Sequence, residues 1–398
     1  MRSSEPNNNE SVMQTMTSSP IKLMIAIPTY NRLEKLKILL KSLEAQIADD
    51  SFTCTLVISN SESTDGTFEF IEKLEPFGAI REIIKYNKYK LQHEPRPDNW
   101  GNLFRTIPNS DGWVWLLGDD DYLVSPNCLK HLAQIIKSND CSNVDLLHLT
   151  QARRSKGTKK VLKSNLVDAA NNIGFLELLG WMSSVVIRAS IIERTYVCSF
   201  YDLDYEHKNP DVPIHNSLLR DRHSAFRHSS HLLKACHESE ILVVDDYFAE
   251  PQDEVQSSHS IERWREEGMG IRYMFVVDDV EYLFKSGRIK DRFTANFFRY
   301  HTQFLWDRFS QYVVAHLTQN GELDEYCLAF MERLLRIELL LRVPAELHLF
   351  RLWRSCFFNA VEDSVKARQQ YLITCDKLDQ MVRLSFKGVF SFDTFDRY

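Results

Sequence analysis

No stretch of about 18 consecutive apolar residues occurs in the 398-residue chain, so no membrane-spanning helix is expected. Residues 1–19, rich in Ser, Asn and Thr, lack an apolar core and are not a signal peptide; they read as a disordered tail. The cysteines at 54, 128, 141, 198, 236, 327, 356 and 375 form no CxxC pair and no metal-ligand spacing. That argues against zinc and thiol redox chemistry and fits a reducing, cytoplasmic compartment. Positive charge is not in excess: 48 Lys and Arg against 55 Asp and Glu leave a formal net charge of -7. A nucleic-acid binder is excluded on electrostatic grounds. A negative protein with a negative substrate must neutralise it locally, with a metal ion or a few basic side chains. Internal repeats and low-complexity tracts are also missing. What remains, 44% hydrophobic and 26% charged, is the composition of a soluble globular protein, long enough for two domains.

Apolar runs and helical periodicities alternate over the first half. Ile21–Ile27, Thr53–Ser59, Arg81–Lys85, Trp113–Leu117, Asp145–Thr150 and Ile241–Val244 read as strands. Leu33–Ala45, Thr67–Leu74, Asn102–Ile107 and Pro126–Lys137 read as helices. Such alternation predicts an α/β fold with a mostly parallel sheet covered on both faces. Ligands of such sheets bind beyond the carboxyl ends of the strands. The polar loops Pro28–Arg32, Ser59–Asp65 and Gly118–Tyr122 all follow strand ends and should converge on one crevice. From about residue 255 the pattern changes to long helices, Trp264–His316 and Leu323–Arg342, with Pro344 as a break. The expected division is a tail at 1–19, a catalytic domain at 20–254 and a helical domain at 255–398.

Within the crevice, Asp119-Asp120-Asp121 is the chemically loudest feature. Three adjacent carboxylates repel unless they are solvated or paired. A hard divalent cation, Mn²⁺ or Mg²⁺, takes oxygen ligands and bridges carboxylates to diphosphate oxygens. It would also stabilise charge on a departing nucleoside diphosphate. The ordinary reading of the triplet alone is a solvated acidic turn. The buried strand Trp113–Leu117 that aims the triplet into the crevice favours the cation.

Ile27-Pro28-Thr29-Tyr30-Asn31-Arg32, Ser63-Thr64-Asp65-Gly66-Thr67, Asn99-Trp100-Gly101-Asn102 and Leu116-Leu117-Gly118-Asp119-Asp120-Asp121 resemble, in order and spacing, family 2 glycosyltransferases of the GT-A fold. The resemblance covers roughly residues 20 to 250. It is strongest to bacterial enzymes of surface polysaccharide biosynthesis such as the abequosyltransferase-like group. It implies a Rossmann-like sheet and transfer of a sugar from a nucleotide-diphosphate sugar to a saccharide or lipid-linked acceptor, with inversion. It places Pro28, Thr29 and Tyr30 beside the base and ribose, and the Ser59-Asn60 loop and Asp65 against the base. Asn102 falls near the donor phosphates or base, Asp119 faces the ribose or sugar, Asp120 shares sugar and supporting contacts, and Asp121 binds the metal. Arg32 either begins the helix or meets phosphate. For Pro28 and Gly66 the competing reading is turn geometry alone.

Two departures stand out. Relatives often carry Asp directly after the second strand, where this chain has Ser59-Asn60. They also carry a Glu-Asp pair about a hundred residues past the triplet, whose Asp is the base, and no such pair is present here. Inverting transfer still needs a proton acceptor. His228 fits the resembling segment best and could alternatively complete the metal shell; Asp211 is the second candidate. His228 lies in a segment with histidines at 207, 215, 223 and 231, where a surface or capping role is the stronger reading. Trp181, after the loop Gly174–Gly180, is placed beside the acceptor by the resemblance, although core packing is the commoner use of tryptophan.

The C-terminal helices mix Phe, Tyr and Trp with Arg and Lys. Such helices can rest on an anionic membrane surface, which would put the enzyme on the inner face of the cytoplasmic membrane. Packing on the catalytic domain or on a second copy is the favoured reading. Two other functions compete. A nucleotidyltransferase would carry a glycine-rich loop after the first strand, and Pro28–Arg32 has no glycine. A non-catalytic sugar-nucleotide-binding protein stays open because the Glu-Asp pair is missing.

Overall fold

The computed structural model describes residues 19–88, 99–108, 111–150, 156–192, 227–252 and 297. The elements run β1 (Ile21–Thr29), α1 (Leu33–Glu44), β2 (Phe52–Ser61), α2 (Thr67–Glu72), β3 (Ile80–Lys88), α3 (Asn99–Thr106), β4 (Trp113–Leu116), β5 (Asp121–Leu123) and α4 (Cys128–Ser138). They continue with β6 (Val144–Leu149), β7 (Val161–Asn165), α5 (Leu166–Ile173), α6 (Phe175–Leu179), a 3-10 turn (Met182–Ser184), β8 (Val185–Arg188), α7 (Arg227–Cys236), β9 (Glu240–Val244) and β10 (Ala249–Pro251).

Eight strands form one sheet in the order β3-β2-β1-β4-β8-β6-β9-β7. β1 pairs in parallel with β2 and β4, β2 with β3, and β6 with β9; β8 and β7 are antiparallel. This is the expected α/β architecture with a mostly parallel sheet. The near-continuous apolar strands explain it: Leu23 to Ile27, Leu56 to Ile58 and Trp113 to Leu117 are buried, as strands covered on both faces must be. α1 covers the sheet with Leu36, Leu39, Leu40 and Leu43, spaced three and four apart on one face. Asp65 anchors that helix from a distance, because its carboxylate accepts the first helical N–H, Leu33 N–H, at 3.0 Å.

The parallel strands β1, β2 and β4 end side by side, so the loops after them meet at one edge. A second, two-stranded sheet stands there, pairing β5 with β10 in register Pro251↔Asp121, Glu250↔Tyr122 and Ala249↔Leu123. Some expectations are corrected. β1 runs through Pro28, and β2 continues past the expected end at Ser59 to Ser61, so Asn60 is a strand residue and not loop. Gly174–Gly180 is not a loop but contains helix α6, whose five residues are all buried.

No helix among the described residues is long and apolar enough to cross a membrane. The expected helices beyond residue 255 lie outside the described residues, except Phe297. That side chain is fully buried and stacks on Phe175 of α6, with ring centroids 5.5 Å apart and planes at 18°.

Candidate active site

Gly118 and the three aspartates form a tight turn closed by Asp121 N–H donating to the Gly118 carbonyl at 3.1 Å. The three carboxylates do not share one environment. Asp119 turns toward β1: Thr29 Oγ1–H donates to it at 2.8 Å and Arg32 Nη1 meets it at 2.9 Å. Arg32 also reaches Asp120 at 2.8 Å. The arginine, 45% exposed, bridges two carboxylates and is the built-in counter-charge of the turn. Burial opposes its charge, yet Asp119 and Asp120 outweigh that and raise its pKa. Asp119 itself is shifted upward, because burial exceeds the help it receives from Arg32 and Thr29.

Asp121 is only 3% exposed. Its Oδ2 accepts from Ser183 Oγ–H and from Trp181 Nε1–H, the latter at 3.1 Å. Burial, with Asp120 and Asp119 adding like charge, pushes its pKa up to about 7 against the pull of those two donors. Ser183 is the hub of this corner: its Oγ also accepts Gly118 N–H at 2.8 Å, and its carbonyl accepts Trp115 Nε1–H at 2.9 Å. Sequence reasoning missed Ser183, since a serine in a short 3-10 turn carries no pattern of its own. Trp181, expected beside the acceptor, meets the same carboxylate. It is half-buried, packs on the core and hydrogen-bonds Asp121.

Ser59 and Asn60, expected against the base, are fully enclosed. Ser59 Oγ–H donates to Asn99 Oδ1 at 2.7 Å, and Asn99 Nδ2 donates to the Thr29 carbonyl at 3.0 Å. Asn99 therefore ties the ends of β1 and β2 to the start of α3. Asn60 bonds Asn87 at 2.7 Å and accepts from Ser63 Oγ–H at 2.5 Å. Asp65 is likewise engaged with backbone: one oxygen takes Leu33 N–H, the other Thr67 N–H and Oγ1–H. Polar side chains in a closed loop network satisfy one another before they can read a ligand. Tyr30, 54% exposed, is the open surface of the first loop, with Pro28 half-buried beside it. Asn102 is buried, and its Nδ2 has no hydrogen-bond partner among the described residues.

His228 lies on α7, 5% exposed, with its Nε2 3.2 Å from Ser229 Oγ. Burial lowers its pKa to about 4, and hydrogen bonds to the backbone at Leu179 and Gly180 only partly offset that. His228, the expected base, is enclosed and held at the backbone of Leu179 and Gly180, just before Trp181. Asp211 lies outside the described residues.

Among the described residues no three His, Cys, Asp or Glu side chains gather into a metal cage. The turn still fits a hard cation. A Cβ on Gly118 would lie 2.7 Å from Asp121 Oδ2 and 3.0 Å from Asp120 Oδ1, so two carboxylate oxygens converge over a spot only glycine leaves open. Mg²⁺-type sites are commonly held by one or two carboxylates, with waters and substrate phosphates filling the rest. Gly118→Ala should therefore cost roughly 1–3 kcal/mol of overpacking, because Asp121 is pinned and cannot yield. A calorimetric melt would show it as a lowered melting temperature; an unchanged melt would refute the close packing over Gly118.

Residues 24–173 match the family model described as Glycosyl transferase family 2. Comparison with curated proteins finds no match. Among solved structures, the chain is similar to S. aureus TarS 1-349 in complex with UDP-GlcNAc, at 15% identity, covering 88% of this chain and 92% of that chain, with a TM-score of 0.48. The same TarS fragment in complex with UDP gives 14% identity, the same coverages and a TM-score of 0.44. Mannosyltransferase PcManGT from Pyrobaculum calidifontis, in complex with GDP-Man and Mn2+, gives 14% identity, coverages of 89% and 88%, and a TM-score of 0.39. The matched segment contains β1, β2, β4 and the acidic turn, so residues 24–173 are similar to glycosyl transferase family 2, and glycosyl transfer is the activity this similarity supports.

Proposed function

We propose that this enzyme transfers a sugar from a nucleotide-diphosphate sugar to a saccharide or lipid-linked acceptor in surface polysaccharide biosynthesis, with inversion and with Mn²⁺ or Mg²⁺ at the acidic turn. The carrying observation is the convergence of Asp120 and Asp121 oxygens over Gly118, at the edge where β1, β2 and β4 end. When bound, the cation supplies Lewis-acid stabilisation of the departing diphosphate. The chain's own residues do the rest. Asp121, held by Ser183 and Trp181, offers a fixed carboxylate at the floor of the site. Asp119, oriented by Thr29 and Arg32, faces the ribose or sugar. Asn102 brings an amide donor to the donor's polar groups, and Tyr30 with Pro28 lines the base side. The described aspartates already carry one cation, Arg32, so the second charge needed to settle three carboxylates and a diphosphate is a metal ion.

Incubation with a panel of sugar nucleotides and Mn²⁺, read as released nucleoside diphosphate, tests this reading. Metal-dependent release from at least one donor is expected, and chelation should abolish it. Binding of donors without any release or transfer would favour a non-catalytic binding protein. Pyrophosphate released from a nucleoside triphosphate would favour a nucleotidyltransferase.

A further inference from the structure

Gln252 follows β10 and lies 131 residues beyond Asp121, outside the segment that matches the family model. It nevertheless grips the acidic turn along its whole backbone. Its Nε2 donates to the Asp121 carbonyl at 2.8 Å and lies 3.5 Å from the Asp119 carbonyl oxygen. Its backbone N–H donates to the Asp120 carbonyl at 2.9 Å. The same Nε2 meets the Lys35 carbonyl of α1 at 2.9 Å. One residue thus holds the Asp120 and Asp121 carbonyls, approaches that of Asp119, and ties the turn to helix α1.

The orientation of the amide is fixed by chemistry: a flipped side chain would set Oε1 against three carbonyl oxygens. The cost shows on the other atom, because Gln252 Oε1 is buried with no partner among the described residues. Strand pairing alone does not require this side chain, since the β5–β10 ladder is made by backbone. The turn does require an outside hold. Its three carboxylates repel, and Arg32 compensates only on the side-chain face.

We propose that Gln252 is the positioning residue of the acidic turn, fixing its backbone so that the Asp120 and Asp121 carboxylates stay converged over Gly118 for a divalent cation. This rests on the reading of the turn as a cation site. Groups that orient metal ligands commonly contribute 10–100-fold to metal affinity.

Full-length Gln252→Ala and Gln252→Asn, with Mn²⁺ alone as the probe, provide the test. Electron paramagnetic resonance of the free ion measures binding, and thermal melting of the metal-free proteins is followed in parallel. Wild type should bind Mn²⁺, and Gln252→Ala should bind it about tenfold or more weakly. Gln252→Asn, whose amide falls a methylene short, should fall between them. Wild-type affinity in both variants would overturn the proposal, with or without a lowered melting temperature, because the side chain would then serve only the fold. A wild type that binds no Mn²⁺ would overturn the cation reading and this inference together.

Discussion

Asp121→Asn should lower metal-dependent transfer by about a thousandfold, because the cation it would hold is worth several kcal/mol of charge stabilisation in the departing diphosphate. Asparagine is the sharper substitution, since its carbonyl oxygen still accepts from Ser183 and Trp181 while the charge is gone. The variant should fold at least as well as wild type without metal. Asp121 is almost wholly buried beside two further carboxylates, and an ionised group there costs the fold free energy until something compensates it. A steady-state assay with saturating donor, paired with a melt, separates the outcomes. Activity near wild type would remove Asp121 from the cation site. Lost activity with a collapsed melt would mean that the corner built on Ser183 needs the charge itself.

The long parallel strands and the acidic turn were legible in sequence because burial on both faces forces continuous apolar runs, and a run that stops at a polar loop marks the binding edge. Ile21–Thr29, Phe52–Ser61 and Trp113–Leu116 all show this. The short elements were not legible. β5 spans three residues, two of them acid and tyrosine, and β10 contains a proline; neither has room for a period. Helix α6 is buried on every side, so it has no polar face to reveal helical spacing. The same limit hid the residues that hold the site. Ser183 and Gln252 act on Asp121 across 62 and 131 residues of chain, and nothing local in either segment encodes that meeting. Resemblance placed Ser59, Asn60 and Asp65 against the base because of where they stand in the chain. Their side chains also close the loops, which becomes visible only when Asn87, Asn99 and Leu33 are seen to meet them.

Phe297→Ala should destabilise the enzyme by roughly 3–5 kcal/mol, the usual cost of emptying a fully buried phenylalanine. Phe297 comes from the C-terminal region, for which membrane contact, a partner copy and packing on the preceding α/β fold compete. Its stacking on Phe175 favours packing. The consequence reaches the site through a short path. Phe175 opens α6; α6 ends at Leu179, and the next residues carry Trp181 and Ser183 to the Asp121 carboxylate. From the other side, Ser229 Oγ–H of α7 holds the Leu179 carbonyl at 2.7 Å. Loosening α6 should therefore weaken the fold and, in step with it, Mn²⁺ binding, whereas Asp121→Asn should remove binding and spare the fold. Denaturant titrations of Phe297→Ala and Phe297→Leu, each with and without Mn²⁺, distinguish the two. A loss below about 1 kcal/mol in Phe297→Ala would show that this side chain is not a core residue of the α/β fold. A full loss with unchanged Mn²⁺ affinity would cut the path at α6 and leave the C-terminal region a stabilising cover only.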